Sequence, residues 1–303
     1  FTRRRLLGTA AVVALAGCSR AEPPRPAPAG SSAPPAPPPS SPPERHERLA
    51  ALERRYAARL GVFALDTGSG ATIEHRPDER FAFCSTFKAV AAAAVLARKP
   101  ASHLDTVVRF DEDDLMRHSP VTRRHVAQGM TIRRLCDAAI RYSDGTAGNL
   151  LVRDLGGPAQ LTAFVRGLGD TVTRMDRIEP AITTAVPGDP RDTTSPRAFG
   201  GVYRQIVLGD AVPPAQRAFL RDLLDRNTTG DRRIRAGLPA GWAVADKTGT
   251  GSYGTANDIA VVWPPGTEPL VVAVMSSKAT RTADADERLL ADAAAYVADV
   301  FRR

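Results

Sequence analysis

The apolar positions of this chain change their period several times after residue 44. Leu49, Leu52, Tyr56 and Leu60 recur at helical spacing in a charged stretch that begins near Glu44, which predicts an amphipathic helix. Gly61-Val62-Phe63-Ala64-Leu65-Asp66 and Ala71-Thr72-Ile73-Glu74 read as two strands, joined at Thr67-Gly68-Ser69-Gly70 as a hairpin. From about 80 to 225 strand signals are scarce and helical ones dominate. Three more strands are predicted at Trp242 to Asp246, Asp258 to Trp263 and Leu270 to Ser276. A last helix puts Leu289, Leu290, Ala293, Val297, Val300 and Phe301 on one face. This order predicts an α+β fold with a five-stranded antiparallel sheet flanked by N- and C-terminal helices. The sheet part spans about 44–78 and 226–303, and an all-helical domain is inserted at about 79–225. Pockets favour such junctions, so a site is expected in the cleft between the two parts.

The first 43 residues read as targeting and tether. Thr2-Arg3-Arg4-Arg5-Leu6-Leu7 gives a cationic start, and the apolar run Ala10 to Ala16 is too short to span a bilayer as a mature helix. Leu15-Ala16-Gly17-Cys18 resembles a bacterial lipoprotein cleavage box, which implies a signal peptide at 1–18 and a lipid anchor on Cys18 that holds the mature protein to a membrane. The arginines also resemble a twin-arginine export signal, and a plain secretory leader with an incidental cysteine stays open. Residues 21–43 hold 11 prolines in 23 positions, so 19–43 is expected to be a semi-rigid linker. An exported location, at the cell membrane, in the periplasm or secreted, follows.

The net charge of +8 invites a nucleic-acid reading, but residues 1–43 account for +4 of it. The other +4 is spread as scattered arginines with no basic stripe, so no nucleic-acid partner is expected. Cys84 and Cys136 both lie in apolar helical patterns and read as buried free thiols. No His-x-His or His-Glu-x-x-His cluster offers metal ligands, and no cofactor is expected.

Three short motifs carry candidate chemistry. Ser85-Thr86-Phe87-Lys88 opens an apolar helical run, Ala89 to Ala97, so the Lys88 amine shares a helix face with the Ser85 hydroxyl. A serine at a helix N-terminus also has backbone N–H groups at hand to stabilise an oxyanion. The chain has only four lysines against 37 arginines, and lysine, unlike arginine, can become a base when buried. Ser143-Asp144-Gly145 follows the apolar Leu135 to Tyr142 helix; its serine can relay a proton, although these residues equally suit a cap or turn. Asp246-Lys247-Thr248-Gly249-Thr250-Gly251, at the end of a predicted strand, offers a fixed cation and two hydroxyls, with glycines that let a ligand approach the backbone. Each motif alone has little specificity.

In this order, Ser-x-x-Lys, Ser-Asp-x and Lys-Thr-Gly resemble the set shared by class A β-lactamases and penicillin-binding proteins. The resemblance covers roughly 44–303 and implies that fold. Arg177-Ile178-Glu179-Pro180 and Pro187-Gly188-Asp189-Pro190-Arg191-Asp192-Thr193-Thr194 resemble the Ω-loop of class A β-lactamases. The resemblance implies that Ser85 attacks the β-lactam carbonyl, with the N–H groups of Ser85 and Thr250 as oxyanion hole. Ser143 passes a proton to the departing nitrogen, while Lys247, Thr248, Gly249 and Thr250 hold the substrate carboxylate. Glu179 activates the deacylating water, Arg177 and Asp192 clamp the loop, and Lys88 and Glu179 both stand as acylation base. Such an enzyme confers antibiotic resistance, and a monomer is expected.

The chain departs from the family pattern at several points. Gly145 replaces an asparagine, which implies weaker anchoring of the substrate side chain and a roomier entrance. Thr183 replaces an asparagine near the water, which implies slower deacylation for some substrates. His118 replaces the aromatic at the cleft mouth. The arginine after the Lys-Thr-Gly strand is absent, and Arg233 matches the alternative position from which it contacts the carboxylate. A slowly deacylating DD-peptidase and a non-hydrolytic β-lactam sensor domain are the alternatives; Glu179 argues against the first. There is no Gly-x-Ser-x-Gly for a triad esterase.

Overall fold

The structure, a computed structural model, describes residues 47–302, so the expected signal peptide, linker and Cys18 lie outside the described residues. Helix α1 (Glu47–Tyr56) leads into the hairpin β1 (Arg59–Asp66) and β2 (Thr72–His75). After β3 (Phe81–Ala82) come α2 (Phe87–Arg98), β4 (Val107–Val108), β5 (Met130–Thr131), α3 (Ile132–Arg141), α4 (Gly145–Leu155) and α5 (Pro158–Gly167). The chain continues through β6 (Thr193–Thr194), α6 (Pro196–Val207), α7 (Pro214–Asp225) and α8 (Ile234–Gly237). It ends with β7 (Ala243–Gly251), β8 (Thr255–Trp263), β9 (Leu270–Ser277) and α9 (Glu287–Phe301).

The large sheet has the order β2-β1-β9-β8-β7, and every pair is antiparallel. Alternation along its strands separates two apolar layers. Leu60, Val62, Val272, Val274, Ala260 and Val262 face one way, against Leu49 and Leu52 of α1 and Leu289, Leu290, Ala293 and Val297 of α9. Ile259, Val261, Ala273 and Met275 face the other way, toward a second core that includes Phe199, Val202, Tyr203 and Ile206 of α6. Ser195 caps α6 by accepting from the Ala198 N–H, and Pro196 starts it at a position where no N–H is needed. The run Phe87 to Leu96 is buried on all sides, which makes α2 the central helix of the helical part. Among the described residues no helix is long and apolar enough to cross a membrane.

The structure corrects the expected elements in three places. The first helix stops at Tyr56, because Ala57 is left-handed at φ 45°; Leu60 keeps its place in the core but belongs to β1. Strand β7 runs through Gly251, so Lys247-Thr248-Gly249 lies inside a strand, paired with Ile259, Asp258 and Asn257, and not at its end. The polar residues and glycines from Lys247 to Gly251, most of them buried, hid this continuation from the apolar pattern. Two short strand pairs, β3 with β6 and β4 with β5, cross the stretch expected to be wholly helical.

Tyr203, in the second core, packs its ring at a tilt against Phe199 and donates its hydroxyl to the Thr86 carbonyl at the start of α2 at 2.9 Å. Tyr203→Phe strands that buried carbonyl, so urea unfolding should show a loss of about 1–3 kcal/mol with the m-value unchanged. An unchanged midpoint would mean that the bond carries no stability.

Candidate functional site

Ser85, the candidate nucleophile, sits on a strained turn. Cys84 has φ 48°, a region costly for a residue with a β-carbon, and it begins the 3-10 turn Cys84–Thr86 that runs into α2. Asn257 of β8 secures this turn by donating to the carbonyls of Ala82 at 2.8 Å and Phe83 at 3.2 Å. The Thr86 hydroxyl donates to the Phe83 carbonyl at 2.7 Å. Gly249 is needed here: a β-carbon on it would lie 2.6 Å from the Phe83 oxygen, so glycine lets β7 rest against the turn. Cys84 and Cys136 are buried free cysteines, as expected, and burial pushes both thiols up to about 12, which keeps them out of the chemistry.

Three residues after Ser85, in the first turn of α2, Lys88 is 1% exposed. Its Nζ donates to Ser85 Oγ at 3.0 Å and to the Ser143 carbonyl at 2.7 Å, and lies 2.6 Å from Glu179 Oε1. Ser85 donates in turn to Glu179 Oε1 at 3.2 Å. Burial pushes the Lys88 amine below the ordinary lysine range, and the charge of Glu179 pulls it back up. Lys247 is also buried; it donates to Ser143 Oγ at 3.0 Å and to the Thr248 carbonyl at 2.9 Å. Burial pushes its amine well below the ordinary range, and the nearby charge of Lys88 acts in the same direction. Ser143, left-handed at φ 54°, thus stands between two lysines.

The cap reading of Ser143-Asp144-Gly145 falls to Asp144, and Ser143 points to the two lysines. Asp144 caps α4 by accepting from the Ala147 N–H, and it also accepts from the N–H groups of Val121 and Thr122. That leaves Ser143 free for chemistry. The loop carrying Glu179 is clamped by Arg177, whose Nε lies 2.5 Å from Asp192 Oδ2; the buried Asp192 also accepts from the N–H groups of Asp176 and Arg177. The pairing of Phe81 with Thr194 closes the loop's end. Ser85, Ser143, Glu179, Thr248, Gly249, Thr250, Arg233, His118 and Thr183 all line one cleft of about 660 Å³.

The profile of the Beta-lactamase enzyme family matches residues 44–301. The chain is 55% identical to a β-lactamase of Mycobacterium tuberculosis, over 99% of this chain and 98% of that protein. It is 56% identical to a β-lactamase of Amycolatopsis lactamdurans, over 82% of each. A crystal structure of a Desulfarculus baarsii β-lactamase superposes with a TM-score of 0.83 at 48% identity, covering 85% of this chain and 97% of that one. A variant of the last common ancestor of Gram-negative bacteria class A β-lactamase superposes at 0.82 with 53% identity, covering 85% and 98%. The chain belongs to the β-lactamase enzyme family.

Within this β-lactamase the residues that depart from the family pattern take up particular places. Arg233 is buried: it donates to the carbonyls of Gly249 and Asn257 and, through Nη2, to Thr250 Oγ1 at 2.8 Å. It therefore holds the end of β7 and orients Thr250. The Thr183 hydroxyl donates to the Pro180 carbonyl at 2.8 Å, inside its own loop. The His118 ring bonds the Tyr142 carbonyl, and its backbone carbonyl accepts from the Gly145 N–H at 2.7 Å. Gly145 does not line the cleft; it faces Glu179, with its missing β-carbon 2.2 Å from Oε2.

Three site residues were not picked out from the sequence. Asn149 grips the Glu179 backbone from α4, Nδ2 to the carbonyl and Oδ1 from the N–H, both at 3.0 Å. Asn257 anchors the nucleophile turn, and Thr229 lies 2.5 Å from the Thr248 hydroxyl. The available signal was a lone amide within an otherwise apolar helix or strand, which has to find a partner across a gap.

Among the described residues no carboxylate lies within ion-pair distance of Lys247. A carboxylate bound beside it would supply this counter-charge and raise its pKa, so affinity for such a ligand would be present while free Lys247 is protonated and lost as pH rises. KM for a carboxylate-bearing β-lactam should climb on the alkaline side before ordinary lysines titrate, while its methyl ester shows no such climb. Lys247→Met should raise KM roughly 30-fold or more, corresponding to about 2 kcal/mol or more for a buried charge pair. Equal pH dependence for acid and ester would contradict this.

Proposed function

We propose that Ser85 opens β-lactam rings through an acyl-enzyme that Glu179 then hydrolyses. The observation that carries this reading is the hydrogen-bond count at Lys88. Its Nζ has four acceptors within 3.5 Å, Ser85 Oγ, the carbonyl and Oγ of Ser143, and Glu179 Oε1, enough to occupy all three N–H groups of an ammonium. Lys88 is then a donor in the resting enzyme, and the Glu179 carboxylate, which accepts from Ser85, is the acylation base.

In this scheme Ser85 Oγ bonds to the carbonyl carbon while its proton passes to Glu179. The oxyanion rests on the N–H groups of Ser85 and Thr250. When the C–N bond breaks, the proton reaches the nitrogen through Lys88 and Ser143. A water then gives its proton to Glu179 and attacks the ester, and Ser85 recovers its proton as it leaves. Lys247, Thr248 and Thr250 hold the substrate carboxylate, with Arg233 orienting Thr250. The leader supports export and a lipid anchor on Cys18, with 19–43 as tether and a monomeric catalytic part from 44. Thr183, bonded within its loop, and Gly145, turned to Glu179, are the residues expected to tune turnover among substrates.

Counting turnovers of a chromogenic cephalosporin, with a Glu179→Ala variant alongside, tests this. The enzyme should turn over many times, and the variant should lose about 10²–10⁴-fold in deacylation and accumulate a covalent adduct of one acyl group per Ser85. One stoichiometric burst from the unaltered enzyme would instead support a slow peptidase or a sensor.

A further inference from the structure

Thr248 stands at one end of a chain of side-chain hydrogen bonds that leads away from the cleft. Its hydroxyl oxygen lies 2.5 Å from that of Thr229, the Thr229 hydroxyl lies 2.8 Å from Asn227 Oδ1, and Asn227 Nδ2 donates to Asp246 Oδ2 at 2.6 Å. Asp246, fully buried on β7, accepts at its other oxygen from Arg235 Nε at 2.7 Å. The loop that carries Asn227 and Thr229 is held in place: the Asn227 N–H donates to the Leu224 carbonyl at 3.1 Å, and the Thr228 hydroxyl to the Arg141 carbonyl at 2.7 Å.

The buried end of the chain sets where the hydrogens point. Burial pushes the carboxyl groups of Asp246 and of its buried neighbour Asp258 upward, and Arg235 and Asn227 pull Asp246 back. Asp258 accepts from the Ile234 N–H at 3.1 Å and, among the described residues, has no cation within ion-pair distance, so a proton between the two acids stays on Asp258 and Asp246 remains an acceptor. An acceptor there turns the Asn227 amide so that its NH₂ faces Asp246 and Oδ1 faces Thr229. Oδ1 takes the Thr229 N–H at 3.1 Å whatever the hydroxyl does. The Thr229 hydroxyl has one hydrogen and two neighbours. With the hydrogen on Asn227 Oδ1, Thr248 donates to Thr229 and shows the cleft only lone pairs, which repel a carboxylate. With the hydrogen on Thr248 Oγ1, the Thr248 hydroxyl is free to donate into the cleft. A bound carboxylate interacts better with the second setting and so selects it, by two hydroxyl rotations that move no heavy atom.

We propose that Thr229 is a positioning residue: held by Asn227, it turns its hydroxyl hydrogen to Thr248 Oγ1 when a carboxylate binds, and Thr248 then donates to that carboxylate. This deepens the reading in which Thr248 holds the substrate carboxylate and rests on it. Thr229 also lines the cleft, so the rival role is a direct bond from Thr229 to the substrate. The two roles differ in whether Thr229 matters once the Thr248 hydroxyl is gone.

The test measures kcat and KM of the complete protein for a carboxylate-bearing β-lactam and for its methyl ester. Thr229→Val, Thr229→Ser, Thr248→Val and the double valine variant are compared with the unaltered enzyme. Thr229→Val keeps the shape and removes the hydroxyl, so KM for the acid should rise about 3- to 10-fold, the worth of one neutral hydrogen bond, with kcat little changed. The ester, a poorer acceptor, should change less, and Thr229→Ser should restore the parent KM. Thr248→Val should raise KM for the acid at least as much, and adding Thr229→Val to it should raise it no further. An unchanged KM in Thr229→Val overturns the proposal. Additive effects in the double variant overturn it in favour of direct contact with substrate. Equal rises for acid and ester that serine does not rescue overturn it in favour of packing. If Thr248→Val leaves KM for the acid unchanged, the reading of Thr248 as carboxylate holder fails, and the proposal with it.

Discussion

A lysine with almost no access to water has to find acceptors for all three of its protons inside the protein, and Lys88 finds them at Ser85, Ser143 and Glu179. Burial alone would strip its charge. Keeping it requires a carboxylate within contact distance, and that carboxylate comes from a loop 91 residues farther along the chain. Much of the local architecture serves this one pairing. Asn149 and the Arg177–Asp192 pair hold the loop in place, and Asp144 fixes the start of α4.

A second constraint comes from the sheet. Strand β7 brings Lys247 under Ser143 and Gly249 against the nucleophile turn, while Asn257 on the neighbouring strand holds that turn from behind. The strain at Cys84 and Ser143 is borne by these attachments. Two buried lysines near one serine repel each other. Of the two, only Lys88 has a carboxylate in contact, which leaves Lys247 open to an anionic ligand.

The sheet and its flanking helices were legible because their core faces are purely apolar: the period shows at Val272 and Val274, or at Leu289 and Leu290. The cluster of Ser85, Lys88, Ser143 and Lys247 was legible because helical spacing and the order of three motifs survive in one dimension. What was not legible depends on approach between distant segments. Gly145 read as room at the entrance, and its nearness to the Glu179 carboxylate could not be read from sequence. Arg233 read as a carboxylate ligand at the cleft, and its further bonds to β7, β8 and Thr250 could not be read from spacing. Asn149 and Asn257 gave only a faint signal, since an amide in an apolar run does not say which loop it will hold. Strand β7 was cut short because its catalytic residues are polar where a core strand would be apolar.

With four lysines in the whole chain, the side-chain amines can be followed individually by ¹⁵N NMR. The most direct measurement is the titration of Lys88 Nζ in the unaltered enzyme and in Glu179→Gln, a change that keeps the size of the side chain and removes its charge. Glu179 raises the affinity of Lys88 for its proton, so the midpoint should fall to lower pH in the variant. A midpoint that stays in place, or moves up, would show that the buried ammonium does not depend on Glu179 and would contradict the account.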